Sequence, residues 1–228
     1  MAAMQFAPFS FADQEWLISD SRAVYWPAQQ ALLVADLHLE KASWYAQTGQ
    51  MLPPYDSRET LERLSAAAMA TGARRMLCLG DNFHDDGGPA RMEPEAARML
   101  RDLARRLDVV WIVGNHDAGL AAEMTGDVVE EMRLNGIALR HEALAGEAGP
   151  EISGHYHPKL RLRVRGRAIS RPCALRSENR LILPAFGALT GGMDAADPAL
   201  IAAMRPAKRA EAILCAAAKA VIMPVWTA

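Results

Sequence analysis

The chain has 228 residues, a formal net charge of −2, 51% hydrophobic residues and 23% charged ones. That length suits one sizeable core, and the composition reads against disorder, a membrane protein or a polyanion binder working through bulk charge. The average conceals a basic stretch, because eight basic residues and a single acid, Glu178, fall between Lys159 and Arg180.

The N-terminal MAAMQFAPFSFADQEW has no basic start followed by a long apolar run, so no secretory signal is expected and the chain reads as cytoplasmic. The first compact apolar run, ALLVA (31–35), reads as a buried strand. A long loop from Lys41 to Asp56 follows. Its Trp44 and Tyr45, with Tyr55, either stack on bases or anchor the loop to the body. Ser57-Arg58-Glu59-Thr60 opens a helix to about Thr71, with Gly72 as its stop. MLCLG (76–80) is a second strand with Cys78 in the core, Glu95 to Leu107 a second helix and VVWIVG (109–114) a third strand.

Beyond Val128 the pattern changes. Asn135-Gly136 between two short runs signals a hairpin. In KLRLRVRGRAI basic and apolar residues alternate, and RLILPAF is a further strand. Period two puts Arg161, Arg163 and Arg165 on one face and Leu160, Leu162 and Val164 on the other. The arginine row suits a phosphate backbone, or equally a solvated edge strand that resists aggregation. Gly187, Gly191 and Gly192 either let the backbone approach a substrate or form a turn. The apolar stretch Ala212 to Val225 is too short to span a bilayer and carries Lys219. Cys78, Cys173 and Cys215 are odd in number and far apart, which argues against a disulfide framework, and no CxxC pair suggests a thiolate zinc site.

Alternating strands and helices followed by antiparallel β predict a single α/β domain over 1–228, with an α+β tendency. Two packed mixed sheets flanked by helices are expected.

Five apolar runs lead into polar residues able to ligate metals. ALLVA runs into Asp36 and His38, MLCLG into Asp81, His84 and Asp85, and VVWIVG into Asn115, His116 and Asp117. IALR runs into His141, and EISG into His155 and His157, so all six histidines lie in these segments. Carboxyl ends of strands in open α/β sheets converge on one rim, where ligands bind. Imidazole, carboxylate and amide donors without thiolate favour Mn²⁺, Fe²⁺ or Zn²⁺ over a magnesium-type oxygen cage. So many donors fit two ions ~3.5–4 Å apart sharing one carboxylate, an arrangement that acidifies a bridging water and clamps an in-line displacement at phosphorus. Singly, an Asp or His at a strand end is usually a cap or a satisfied polar group. As a set, the clusters point to metal-dependent phosphoester hydrolysis.

The series Asp36-Leu37-His38, Gly80-Asp81, Gly114-Asn115-His116-Asp117, His141 and Gly154-His155-Tyr156-His157 resembles the pattern of the calcineurin-like metallophosphoesterase superfamily. The resemblance implies a four-layer sandwich and two divalent ions, foremost Mn²⁺. It implies that Asp36, His38, Asp81 and His157 surround one ion and Asp81, Asn115, His141 and His155 the other, with Asp81 bridging. His116 would be the non-ligand catalytic histidine. ADLHLEK, LGDNFHD, ISGHYHPK and LPAFGALTGG are similar to the DNA-ligase-associated bacterial branch, the PdeM-type proteins. That branch implies an endonuclease acting on DNA in damage repair, with DNA ligase and other repair proteins as partners and no membrane. The GDxFH form also resembles nuclease subunits of double-strand-break repair, which makes His84 a second catalytic candidate. A small nucleotide or other small phosphodiester is the alternative substrate, and a non-catalytic module that recruits repair partners is a third possibility.

Overall fold

The computed structural model describes residues 4–117, 124–147 and 149–227. The first half of the chain builds one seven-stranded sheet: β1 (Phe6–Phe11), β2 (Gln14–Ser19), β3 (Val24–Trp26), β4 (Ala31–Val34), β5 (Arg75–Leu79), β6 (Asp108–Ile112) and β7 (Asp127–Val129), in that spatial order. Strands β1 to β4 form an antiparallel meander, and β4 to β7 run parallel. Between β4 and β6 lie α1 (Lys41–Gln47), α2 (Asp56–Thr71), α3 (Gly88–Arg91) and α4 (Pro94–Arg106). Helix α2 stops as expected at Gly72, whose φ of 63° lets its N–H reach the carbonyl of Ala68.

The second half adds β8 (Glu131–Leu134), β9 (Ile137–Arg140), β10 (Glu151–Ser153), β11 (Pro158–Val164), β12 (Arg167–Pro172), β13 (Ala174–Arg176), β14 (Arg180–Ile182), β15 (Met193–Asp194), α5 (Pro198–Ala203), β16 (Arg209–Ala216) and β17 (Lys219–Thr227). A second seven-stranded sheet has the order β17-β16-β13-β14-β10-β9-β8, and a small sheet the order β12-β11-β15. The second large sheet is mixed, since β10 runs parallel to both β9 and β14.

Strand alternation divides the side chains among three apolar layers. Leu33, Leu77, Leu79, Val110 and Ile112 face Ile137, Leu139, Ile152 and Leu181 between the two large sheets. Their neighbours Leu32, Val34, Met76, Cys78, Val109 and Trp111 face the other way, onto Leu61, Leu64, Ala96 and Leu103 of α2 and α4. Leu175, Ile182 and Ala212 cover the outer side of the second sheet with Leu160, Leu200 and Met204. Helices, sheet, sheet, then α5 with the small sheet make the four layers. Each fully buried Leu, Ile or Val contributes ~1.5–3 kcal/mol, so the strand cores fix where the strand ends lie.

Two expectations need correction. Lys41–Gln47 is a helix and not loop. Arg165 lies outside the row, because with φ 50° it forms a two-residue turn with Gly166 beyond the end of β11. Of the alternatives for Gly187 the structure shows the turn: it bends the chain just before Ala188-Leu189, a side chain there would strike the Leu37 carbonyl, and its N–H donates to the Asp36 carbonyl at 3.1 Å. Among the described residues, no helix is long and apolar enough to cross a membrane.

Candidate metal centre

Strands β4, β5, β6, β9 and β10 all deliver their C-terminal ends to one rim, and the polar clusters follow at once. The loops there are cross-linked by backbone hydrogen bonds: Asp36 N–H to Gly80 (3.1 Å), His38 N–H to Asp81 (2.9 Å) and Gly154 N–H to His141 (2.9 Å). Five of the expected ligands adopt left-handed backbone, with φ of 55° at Asp36, 43° at His38, 49° at Asp81, 72° at His155 and 48° at His157. Such a conformation costs a non-glycine residue ~1–2 kcal/mol, so the surrounding ladder must hold it. Gly80 and Gly114 permit the crowding. A side chain at Gly80 would enter the His141 ring, and one at Gly114 would strike the backbone nitrogen and carboxylate of Asp81.

Among the described residues three overlapping groups of donor atoms result, each within 4.8 Å: Asp36, His38 and His157; Asp81, His141 and His155; and His38, Asp81 and the exposed His116. The buried Asp81 carboxylate joins them, with Oδ2 3.7 Å from His38 Nε2 and Oδ1 3.4 Å from His141 Nε2. Within the groups, His38 Nε2 stands 3.4 Å from His157 Nε2, and His155 Nδ1 stands 3.1 Å from His141 Nε2. The Asp36 carboxylate accepts the His155 N–H at 3.0 and 3.1 Å and lies 3.4 Å from His157 Nε2.

This donor set fits divalent cations. The Leu79 carbonyl can only accept, so His141 Nδ1, 3.0 Å away, donates its N–H there and Nε2 is left to face Asp81. Burial, reinforced by neighbouring His157, Lys41, His116 and His84, pushes His38 down to about 2, which leaves a neutral imidazole. The neutral His38 ring, 3.4 Å from His157 Nε2 and 3.7 Å from the Asp81 carboxylate, has a lone pair that a cation between these groups would accept.

His116 borders this centre. Its N–H donates to Asp81 Oδ1 at 3.2 Å, its Nε2 is 3.9 Å from Asp81 Oδ2, and its side chain is 43% exposed. His84 lies nearby, and burial pushes it down to about 4. Asn115 is exposed and lines a cavity of about 480 Å³ with His84 and His116.

A supporting residue escaped sequence reasoning although it ends the GNHD motif. Asp117 is buried, and its Oδ2 accepts from the Asn82 N–H (2.9 Å), the Asn82 amide (2.8 Å) and the Gly114 N–H (3.1 Å). Its Oδ1 accepts from the Phe83 N–H at 3.0 Å. It ties the loop carrying Asp81 to the loop carrying His116. Burial raises its carboxyl above the usual range, against those hydrogen bonds.

On the other side of the centre, His157 passes directly into β11. Lys159, Arg161 and Arg163 line a groove of about 480 Å³ with Ser170 and Gly192. Lys159, also at period two, takes the place in the row expected of Arg165.

A family model described as calcineurin-like phosphoesterase matches residues 30–164. The nuclease MPE of Pseudomonas putida is similar over 96% of this chain and 99% of its own, with 29% identity and a TM-score of 0.71. The phosphoesterase Yfce of E. coli aligns over 86% of this chain and 99% of its own, at 15% identity and a TM-score of 0.44. None of the curated proteins matches the chain.

Proposed function

Because the chain belongs to the calcineurin-like phosphoesterase family, and is therefore a metal-dependent phosphoester hydrolase, we propose that it is a nuclease cutting phosphodiester bonds of DNA. One observation carries the choice of a polymer: the row Lys159, Arg161, Arg163 begins two residues beyond His157 and leads away from the metal centre. Cations on alternate strand residues recur every ~6.6 Å, a spacing that can follow successive phosphates. The likeness to a nuclease along nearly the whole chain supports the same reading.

In this reading Asp36, His38, Asp81 and His157 hold one cation, and Asp81, Asn115, His141 and His155 the other. When bound, the cations supply Lewis-acid charge for the phosphoryl oxygens and make water acidic enough to attack. Mixed nitrogen and oxygen donors suit Mn²⁺, Fe²⁺ or Zn²⁺, and the family resemblance puts Mn²⁺ first. Leu79 and the N–H of His155 keep His141 and Asp36 aimed at the centre. His116 is the exposed imidazole beside Asp81, placed to offset charge on the phosphoryl group or to give a proton to the leaving oxygen. His84 packs against His116 and restrains its ring. The protein would act in the cytoplasm in DNA repair, with DNA ligase as a partner.

The test is hydrolysis in Mn²⁺ of a panel comprising mononucleotides, bis(p-nitrophenyl) phosphate and single-stranded, duplex and nicked DNA. Cleavage of a DNA form that depends on His116 supports the proposal. Turnover of a small nucleotide with every DNA form left intact overturns it in favour of a small-molecule phosphodiesterase.

A further inference from the structure

The cavity in front of His116 has walls that the metal chemistry does not use. Trp44 and Tyr45 of α1 form one side, facing His84, Asn115 and His116, and Asp85 and Asp86 complete the lining. The Trp44 and His84 ring centroids are 4.8 Å apart at 81°, while Tyr45 lies nearly parallel to His84, inclined by 20° at 6.1 Å.

An aromatic residue that merely anchors a segment is driven under cover, as Trp16, Trp26 and Trp111 are here at 2% exposure or less. Trp44 and Tyr45 stay partly exposed. Helix α1 is anchored by other groups: the Ala42 N–H donates to Asp56 at 3.0 Å, Arg91 donates to Ser43 Oγ at 3.2 Å, and the Ala42 side chain is buried. The rings line the cavity while packing against each other and against His84.

The charges on the two sides of the centre differ. The β11 groove is cationic and suits phosphates. The cavity has no such row among the described residues: the Asp85 carboxylate on its edge is paired with Arg91. A flat, uncharged group fits its aromatic walls. A nucleobase is that group, and aromatic side chains stack on any base because each has a π-face.

We propose that Trp44 and Tyr45 form a nucleobase-stacking subsite for the nucleotide next to the scissile phosphate, on the His116 side. This rests on the nuclease reading and adds which part of the substrate lies on each side of the metals: bases against α1, phosphates along β11.

The experiment compares two short single strands with equal numbers of phosphorothioate linkages, which resist cleavage, one carrying bases and one abasic. Affinities are read from the anisotropy of an end label at fixed salt, for wild type, for the double variant Trp44→Leu/Tyr45→Leu and for Trp44→Phe. Wild type should bind the base-bearing strand roughly 5- to 150-fold tighter, the range for one base stacked on an aromatic side chain. The preference should collapse in the double variant and largely survive in Trp44→Phe, and the base-bearing strand alone should quench tryptophan fluorescence of the wild type. If the double variant does not fold, Trp44→Leu and Tyr45→Leu singly carry the same comparison. Equal binding of both strands by wild type, or an undiminished preference in the leucine variants, overturns the subsite alone. Wild type that hydrolyses bis(p-nitrophenyl) phosphate yet binds neither strand overturns the nuclease reading and the subsite together.

Discussion

The rings of His84 and His116 lie almost parallel, their planes inclined by 21° and their centroids 5.2 Å apart. His84 Nδ1 is buried without a hydrogen-bond partner, so packing rather than a polar tether links this imidazole to its neighbour. Loss of His116 should therefore remove a reacting group, and loss of His84 should loosen it. His116→Ala is expected to retain both metals and lose about 100-fold or more in kcat on a diester with a poor leaving group. His84→Ala should lose roughly tenfold, the low end for a residue that acts through another. Steady-state kinetics alongside metal analysis separates the two, and equal losses would remove the distinction.

Asp81 offers one carboxylate oxygen to each imidazole group and accepts the N–H of His116. Asp81→Ala should therefore lose both metals, whereas His157→Ala should weaken one site and spare the other. Elemental analysis after gel filtration decides the matter. Two equivalents persisting in Asp81→Ala would show that the carboxylate is not shared.

Asp117→Ala would strip the acceptor from the backbone N–H groups of Asn82, Phe83 and Gly114. Buried donors left unpaired cost ~1–3 kcal/mol each, not fully additively, so a loss of at least ~3 kcal/mol is expected in urea denaturation. Asp117→Asn keeps one acceptor oxygen and should lose less. A loss below ~1 kcal/mol in the alanine variant would place the strength of this junction elsewhere.

How far the molecule could be read in advance depended on whether a local pattern was present. β4 to β6 were legible because Leu33, Leu77 and Val110 belong to uninterrupted apolar runs, each closed by a polar cluster. The hairpin at Asn135-Gly136 was legible from turn chemistry, and both residues take positive φ. The outer hairpins β1–β2 and β16–β17 were not, because Ala12-Asp13 and Ala217-Ala218 enter left-handed backbone without the glycine that normally marks such a turn. The donor residues of the centre were visible as types at strand ends. The position of Arg165 was not, since period two carries no information about where a strand stops, and the role of Asp117 depends on contacts across 35 residues of sequence.

The revised basic row gives a salt prediction. Replacing Lys159, Arg161 and Arg163 together by Gln should reduce the slope of log affinity against log salt for single-stranded DNA by up to about two units, at ~0.7 per phosphate. Arg165→Gln should leave the slope almost unchanged, because the turn carries it away from the groove face. Titrations at several salt concentrations measure both. An unaltered slope in the triple variant would mark the groove as an ordinary solvated surface.

A pH effect is expected at the edge of the cavity. Hydrogen bonding by Arg91, at 2.9 Å through Nη1, holds the Asp85 carboxyl below its usual range despite partial burial. A carboxyl depressed in the folded state adds stability above its unfolded value of ~3.9 and loses it as pH falls through the folded value. The pair is partly exposed, so its contribution at neutral pH should stay under ~1 kcal/mol. Arg91→Ala should remove that contribution, leaving a stability deficit at pH 7 that shrinks as the pH falls below ~3.9 in urea titrations. A deficit that grows on acidification would contradict the assignment.

The backbone at Asp36, His38, Asp81, His155 and His157 sets stability against activity. Asparagine enters left-handed backbone more readily than most residues, and glycine does so freely. Replacing these residues by Asn or Gly would relax the very positions that crowd carboxylates and imidazoles together. A library sorted only for thermal resistance should therefore enrich variants that have discarded the metal centre. Selection for a sturdier scaffold has to include turnover, or it will drift toward inert proteins of the same fold.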